Sequence, residues 1–503
     1  MQVLPESHSS SSDSVTSFAQ FISELNFGEV LSQEQIQAKK NIVQIGEMRY
    51  RVEDKIHSSI SSNNLRDSQE EIVVDDSSQF SQSDTDSSEL LPNMLHLQLV
   101  PMQVEPFLSQ LPHHLTSFIN ELVDKLQIEN NLLKFKVLKP MNGKEKKFID
   151  NKIYQIHTYR YFFPSKYQYF STKGIKPSIE KNPFNIFKLI FFVISQFFSL
   201  LKICLSFKPD VIYCHWFAPQ AIVSYVVCKM LNIKLIFTSH GSDVLMLNNM
   251  GRLGSYIIKK ITMFSFKYTA VSSTVLYEIN RNLPKEELDK KKYKVIPMGI
   301  DSNMFNFEKY PKNPFEKDEV LNFLFIGRLI DYKGVDVLLK TLEEYKSINS
   351  KFTLDILGSG TEEKRLRSLV KSLNLTDQVN FAGFVGFDEK IKYLKKADCL
   401  IVPSKRKYGQ LEGGPLTLIE GFSLGKLCIV SDSIGFIEHC NKYNSIRFKS
   451  GDSKSLLDAI LNVEKLSKDK KYEIMNNATQ TSKSFSFENI AAIHNDFLFA
   501  DIK

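Results

Sequence analysis

The sequence is poor in the features that would place it among disulfide-built or zinc-built proteins. Its six cysteines, at 204, 214, 228, 399, 428 and 440, form no CxxC pair and match no zinc spacing. Several sit inside apolar runs such as "DCLIVP" and "KLCIVS", so they read as reduced core residues of an intracellular protein. No basic-then-apolar stretch opens the chain, and no secretory leader is expected. No repeat of solenoid length is visible. Only one stretch is long and apolar enough to be mistaken for a membrane span, "NIFKLIFFVISQFFSLLKICLSF" at 185–207. Lys188, Gln196 and Lys202 interrupt it, and "KPDVIYCHW" follows as a helix-to-strand passage, so a buried or interfacial helix is expected rather than a span.

What is present divides the chain. Its 503 residues exceed one ordinary domain, and 43% hydrophobic residues suffice for sizeable cores. Residues 1–90 are rich in Ser, Asp and Gln and hold 6 Lys and Arg against 16 Asp and Glu, a charge of −10. That composition cannot bury enough apolar surface to offset chain entropy, and a disordered extension is expected, with at most a short helix over 15–31. The rest of the chain carries +17, a sign that suits phosphate-bearing ligands or an anionic membrane face.

From about residue 93, apolar runs alternate with helical patterns. "MLHLQLV", "DVIYCHW", "KLIFTSHG", "YTAVSS" and "KVIPMGID" read as one series of strands; "LNFLFIGR", "FTLDILGSG", "VNFAGFV", "DCLIVPS" and "KLCIVSD" read as a second. The fold class expected is α/β: two Rossmann-like doubly wound domains, 91–305 and 306–483, facing each other across a cleft, followed by one amphipathic helix over 484–503.

Four places could carry chemistry. In "FLFIGRLIDYKG" a buried strand ends at Gly327, and Arg328 and Lys333 follow where both could reach one anion. In "LDILGSGTEEKRL", Gly358 and Gly360 permit close backbone approach after a strand, to a ligand or in a plain tight turn. In "EGGPLTLIEGFSLG", Pro415 fits a first helical turn, while Gly413 and Gly414 leave the amides ahead of it uncovered, a place that attracts anions. Glu412 precedes that helix and Glu420 lies inside it; a carboxylate accepting two hydrogen bonds suits a vicinal diol, although a cap and an ordinary helical Glu fit the spacing equally well. In "TSHGSDV", His240 and Asp243 sit at a strand's carboxyl end.

In this order and with these gaps, "DVIYCHWFAPQ", "TSHGSDV", "VIPMGIDSNMF", "GRLIDYKGVDVLL", "LDILGSGTEEKRL", "DCLIVPS" and "EGGPLTLIEG" resemble the retaining GT-B glycosyltransferases of family 4, the group 1 transferases. The resemblance covers residues from about 93 to 503 and is strongest from Gly327 to Gly425. It implies a nucleotide-diphosphate sugar donor on the second domain and a glycan or lipid-linked acceptor, with no bound metal, cofactor or nucleic acid. By motif position, Arg328 and Lys333 would neutralise the departing diphosphate beside the amides of Gly413, Gly414, Pro415 and Leu416. Glu412 would bind donor-sugar hydroxyls and Glu420 the ribose. Gly327, Gly358, Gly360 and the backbone near Phe384 would lie around the donor. His240 would sit near the sugar, aiding orientation and charge stabilisation, with Asp243 as an acceptor-side candidate. A cytoplasmic enzyme of polysaccharide biosynthesis, free or peripheral at the inner membrane face, is expected. The place where family members often carry a Gly-rich loop reads "VPMQVEPFLSQ", without glycine. A nucleotide-sugar epimerase of the same fold and a non-catalytic sugar-nucleotide-binding scaffold remain the alternatives.

Overall fold

The computed structural model describes residues 93–97, 118–130, 133–141, 148–150, 154–168, 182–288, 292–302, 304–305, 320–406 and 412–501, with scattered positions between 169 and 181. The acidic extension over 1–90 and the glycine-free segment at 100–110 lie outside the described residues.

The first domain holds a sheet built from β1 (Asn93–Leu97), β2 (Lys134–Pro140), β3 (Phe148–Asp150), β4 (Gln155–Tyr159), β5 (Val211–His215), β6 (Lys234–Ser239), β7 (Lys267–Ala270) and β8 (Tyr293–Val295). Their spatial order is β3-β4-β2-β1-β5-β6-β7-β8, and every pairing is parallel except β3 against β4. The second domain holds β9 (Leu321–Ile326), β10 (Phe352–Leu357), β11 (Val379–Gly383), β12 (Cys399–Val402), β13 (Leu427–Ser431) and β14 (Ile446–Phe448). These run β11-β10-β9-β12-β13-β14, all parallel. In each sheet the chain winds outward one way and then returns to wind the other. The order therefore reverses between β1 and β5, and between β9 and β12. Loops leaving the carboxyl ends of strands at such a reversal diverge and open a crevice.

The strands that flank the reversals are apolar along their whole length because helices cover both faces. Every residue of β5 ("VIYCH"), β12 ("CLIV") and β13 ("LCIVS") is buried. All six cysteines are buried and free, as their apolar neighbours imply. Burial pushes the thiols of Cys214, Cys399 and Cys428 up, which keeps them protonated and inert.

Two features differ from the sequence expectation. Ile300 and Phe305, both inside the anticipated first domain of 91–305, pack in the second domain's core with Leu324, Leu400 and Phe436. The closing helix, Phe487–His494, ends after eight residues and loosens into a wider turn over Asn495–Phe499. That segment returns to the first domain. Ile490, Ala491, Leu498 and Phe499 join its core, and Glu488 and Asp501 pair with Lys125 and Lys267, the latter at 2.6 Å. The crossing is fixed by a two-residue ladder in which Ile300 N donates to Phe485 O (2.9 Å) and Phe487 N donates to Ile300 O (3.1 Å).

Phe499→Ala would leave a cavity in the first domain although it lies at the end of the chain. The expected cost is about 3–5 kcal/mol, read as an earlier first transition in chemical unfolding with the second domain's transition unmoved.

Candidate functional site

The reversal between β9 and β12 sets the centre of the site. β9 delivers Gly327 and the loop 328–333; β12 leads to Pro403, Ser404 and, after 407–411, to Glu412. The first loop is held from below by the turn after β10. Gly327 N donates to Leu357 O (3.0 Å) and Leu329 N to Ser359 O (2.8 Å). A Cβ at Gly358, whose φ is +127°, would lie 2.0 Å from Gly327 O, and one at Gly360 would lie 2.3 Å from Leu329 O. The close approach that these two glycines permit is therefore to the neighbouring loop, which they support against the end of β9.

Asp331–Lys333 forms a short turn that is clamped by Lys405, whose Nζ donates to Asp331 (2.9 Å) and Asp336 (3.0 Å). This aims Lys333 at Glu412, and the two form an ion pair in which Glu412 also accepts from Ser404 Oγ (3.1 Å). Arg328 donates to the Tyr332 hydroxyl (3.2 Å) on the same wall. Burial, and then the Glu412 carboxylate, pushes the Tyr332 phenol up, so it stays protonated.

Glu412 leads through Gly413 and Gly414 into the helix Leu416–Ser423, with the extended Pro415 as its cap rather than its first turn. Gly413 is one place where the two domains meet: a Cβ there would lie 2.6 Å from the carbonyl oxygen of His240. On the first-domain side, His240 follows β6, stacks on Trp216 with ring centroids 4.5 Å apart, and places Nε2 3.2 Å from His215 Nδ1. Burial pushes His240 down to about 3, with His494 of the closing helix adding to the shift. Its imidazole is thus neutral near pH 7. In that form it can orient a hydroxyl and donate one N–H towards developing charge.

These pieces enclose a cavity of about 210 Å³ lined by His240, Ser242, Val271, Met298, Arg328, Tyr332, Lys333, Glu412, Gly413 and Gly414. Six of the residues singled out in the sequence meet here. Glu420 lies deeper, buried on the same helix; its Oε1 accepts from Lys390 Nζ at 2.8 Å while Oε2 has no hydrogen-bond partner. Gly327, Gly358, Gly360, Phe384, Pro415 and Leu416 lie outside the cavity wall.

Asp243 does not face the cleft. It is fully buried, accepts from Gly241 N (2.8 Å) and Ser239 Oγ (3.0 Å), and also accepts from Phe217 N. Its carboxylate ties the loop after β6 to the turn after β5, so it positions His240 and is not an acceptor ligand. Among the described residues, no three His, Cys, Asp or Glu side chains gather as a metal site. Tyr332, Ser404, Lys390 and Trp216 were not singled out from the sequence. Tyr332 lay inside a motif already quoted, but nothing local marks Lys390 as the partner of a residue thirty positions away.

Residues 306–482 match the family model described as glycosyl transferases group 1, and residues 155–303 match that of glycosyltransferase family 4. An uncharacterized glycosyltransferase of Methanocaldococcus jannaschii is 28% identical over 285 residues, 56% of this chain and 72% of that protein. The putative colanic acid biosynthesis glycosyltransferase WcaL of Escherichia coli is 32% identical over 146 residues, 28% of this chain and 34% of its own. Among solved structures, sucrose-phosphate synthase from Thermosynechococcus elongatus superposes with a TM-score of 0.59 at 16% identity, covering 75% of this chain and 91% of that one. Anabaena HepE in complex with UDP-glucose superposes with a TM-score of 0.55 at 15% identity, covering 80% and 98%. At these identities the two structures show the fold alone.

Burial holds His494 down as well, to about 4. A histidine that stays neutral when folded loses stability as pH falls, because the unfolded chain takes up a proton at about 6.5 and the folded chain does not. Stability should be unaffected by this group above pH 6.5 and should decline from there towards pH 4. In His494→Gln, the loss between pH 7 and pH 5 is expected to be smaller by about 2 kcal/mol, measured by urea unfolding at the two pH values.

Proposed function

The chain belongs to the GT-B glycosyltransferases of family 4, and from that premise we propose that it transfers a sugar, with retention of configuration, from a nucleotide-diphosphate donor to a glycan or lipid-linked acceptor. The observation that carries this reading is the convergence of Arg328, Lys333 and Glu412–Gly414 on one cavity at the reversal point of the second sheet.

In the proposed reaction the bond between the anomeric carbon and the diphosphate oxygen breaks, and its electron pair stays with the diphosphate. Arg328 and Lys333 take up that charge, with the amides ahead of the helix Leu416–Ser423 adding a fixed dipole. The acceptor hydroxyl adds to the same face of the sugar, and its proton passes to a departing phosphate oxygen. Glu412, held beside Lys333, binds sugar hydroxyls and acts as no nucleophile. Glu420 has one oxygen engaged by Lys390 and the other without a hydrogen-bond partner, which suits a ribose hydroxyl. His240, neutral, orients the donor sugar. HepE, similar in fold, was crystallised with UDP-glucose, which supports a nucleotide-sugar donor here; WcaL and its kin support a polysaccharide product. The reaction would take place in the cytoplasm.

A thermal-shift screen of nucleotide sugars tests the reading, since a specific ligand raises Tm by mass action. A donor that stabilises the protein is expected, and failure of every nucleotide sugar to do so would overturn the assignment. With that donor, Lys333→Ala should lower turnover about 10²–10³-fold with the fold intact by circular dichroism; near-normal transfer would remove Lys333 from the mechanism. Glu420→Ala should chiefly weaken donor binding, and an unchanged Kd by calorimetry would contradict the ribose assignment. Conversion of donor to an epimer without acceptor would favour an epimerase.

A further inference from the structure

Three helices lie on one face of the first sheet. Asn185–Phe207 connects β4 to β5, Ile222–Leu231 connects β5 to β6, and Arg252–Phe264 lies between β6 and β7. All three crossovers step the same way along the sheet, so right-handed connections place them on the same side. Together they contain six Lys and Arg and no Asp or Glu. The wider segment 160–208 holds eight Lys and Arg against one Glu, the same net charge as the whole chain, +7.

The first of these helices is apolar on both sides. Phe192, Gln196 and Leu200 point into the domain core and are fully buried. Phe187, Phe191, Ile194, Phe198 and Leu205, at spacings of four, three, four and seven, point outward and are exposed, Phe187 by 58% and Phe198 by 62%. At 1.5 Å per residue this stripe runs roughly 30 Å. It continues past the helix start into Phe184 (77% exposed). On the third helix, Tyr256 and Met263 are exposed beside Lys260. The helix is long and apolar enough to cross a membrane, but its inner face is part of a domain core, and crossing would strip that core.

We propose that this face is a peripheral docking surface for a lipid bilayer with anionic headgroups, the helix Asn185–Phe207 lying in the interface with its phenylalanine stripe among the acyl chains. A charged rim around buried aromatic and aliphatic side chains is the arrangement that holds a helix at that depth. The charge decides between the two ways of covering the stripe. Two-fold pairing with a second copy would set one acid-free, cationic face against another; an anionic bilayer neutralises it. The proposal is independent of the donor reading, because it uses no residue of the cavity.

The test is flotation of the full chain with vesicles of phosphatidylcholine alone or with 30% phosphatidylglycerol, a probe composition chosen for charge. The wild-type chain should float with the anionic vesicles and not the neutral ones, and should release as salt rises. Lys202→Glu/Lys260→Glu should lower the partition by about fivefold or more per lysine. Phe187→Glu/Phe198→Glu should abolish it. Both pairs are exposed, so thermal unfolding and donor-induced Tm shift should stay as in wild type. Failure of the wild-type chain to float at low salt would overturn the proposal. So would retention of wild-type flotation by the phenylalanine variant, or a concentration-dependent dimer in sedimentation that the same variant dissolves.

Discussion

The second domain turns on one ion pair. Lys333 and Glu412 lie 79 positions apart and come from loops that diverge at the reversal between β9 and β12. A pair this shielded from solvent gains little net stability over apolar packing, but each partner is expensive to leave alone. Its effect is to specify geometry. Lys405 fixes the turn that carries Lys333, Ser404 shares the carboxylate, and the glycines at 358 and 360 let the turn after β10 support the loop from beneath. The result is a wall whose charged groups are held in place by the fold itself; in the proposed reaction, little reorganisation would be needed at the moment charge develops.

The opposite wall is built on a different principle. There the groups are aromatic: His240, half-buried at the cavity, stacks on the buried Trp216 with the buried His215 beside them, and burial pushes both imidazoles down. The two walls touch where Gly413 passes under the His240 carbonyl, a contact with no room for a side chain. In the proposed reaction, a face bearing Arg328 and Lys333 opposed by a hydrogen-bonding one would separate the tasks of holding a diphosphate and orienting a polyol.

Much of this was legible in the sequence because the relevant signals are local. An apolar run that stops at Gly327 and is followed by Arg and Lys reads as a strand end carrying cations, and the strand end is where it is found. The continuous apolar strands β5, β12 and β13 announce parallel sheets for the same reason. What escaped reading is non-local or ambiguous. Asp243 after a strand end looks alike whether it faces a ligand or ties its own loop, and only burial decides. The strands β2 to β4 give a weak period: lysines interrupt β2 ("KFKVLKP"), β3 is three residues long, and β4 ("QIHTY") mixes polar with apolar residues. The glycine pair at 358 and 360 was compatible with ligand or backbone, and the backbone of a loop thirty residues earlier fills the space.

The exchange between domains at the end of the chain has a mechanical consequence. The polypeptide passes from one half to the other twice, and the two passages are stitched together where Ile300 exchanges hydrogen bonds with Phe485 and Phe487. Gly299 is pressed there against the Phe487 ring, 2.7 Å from where a Cβ would stand. The last segment of the chain therefore works as a clasp: the residues that complete the first domain's core follow directly on those that hold the passage between the halves.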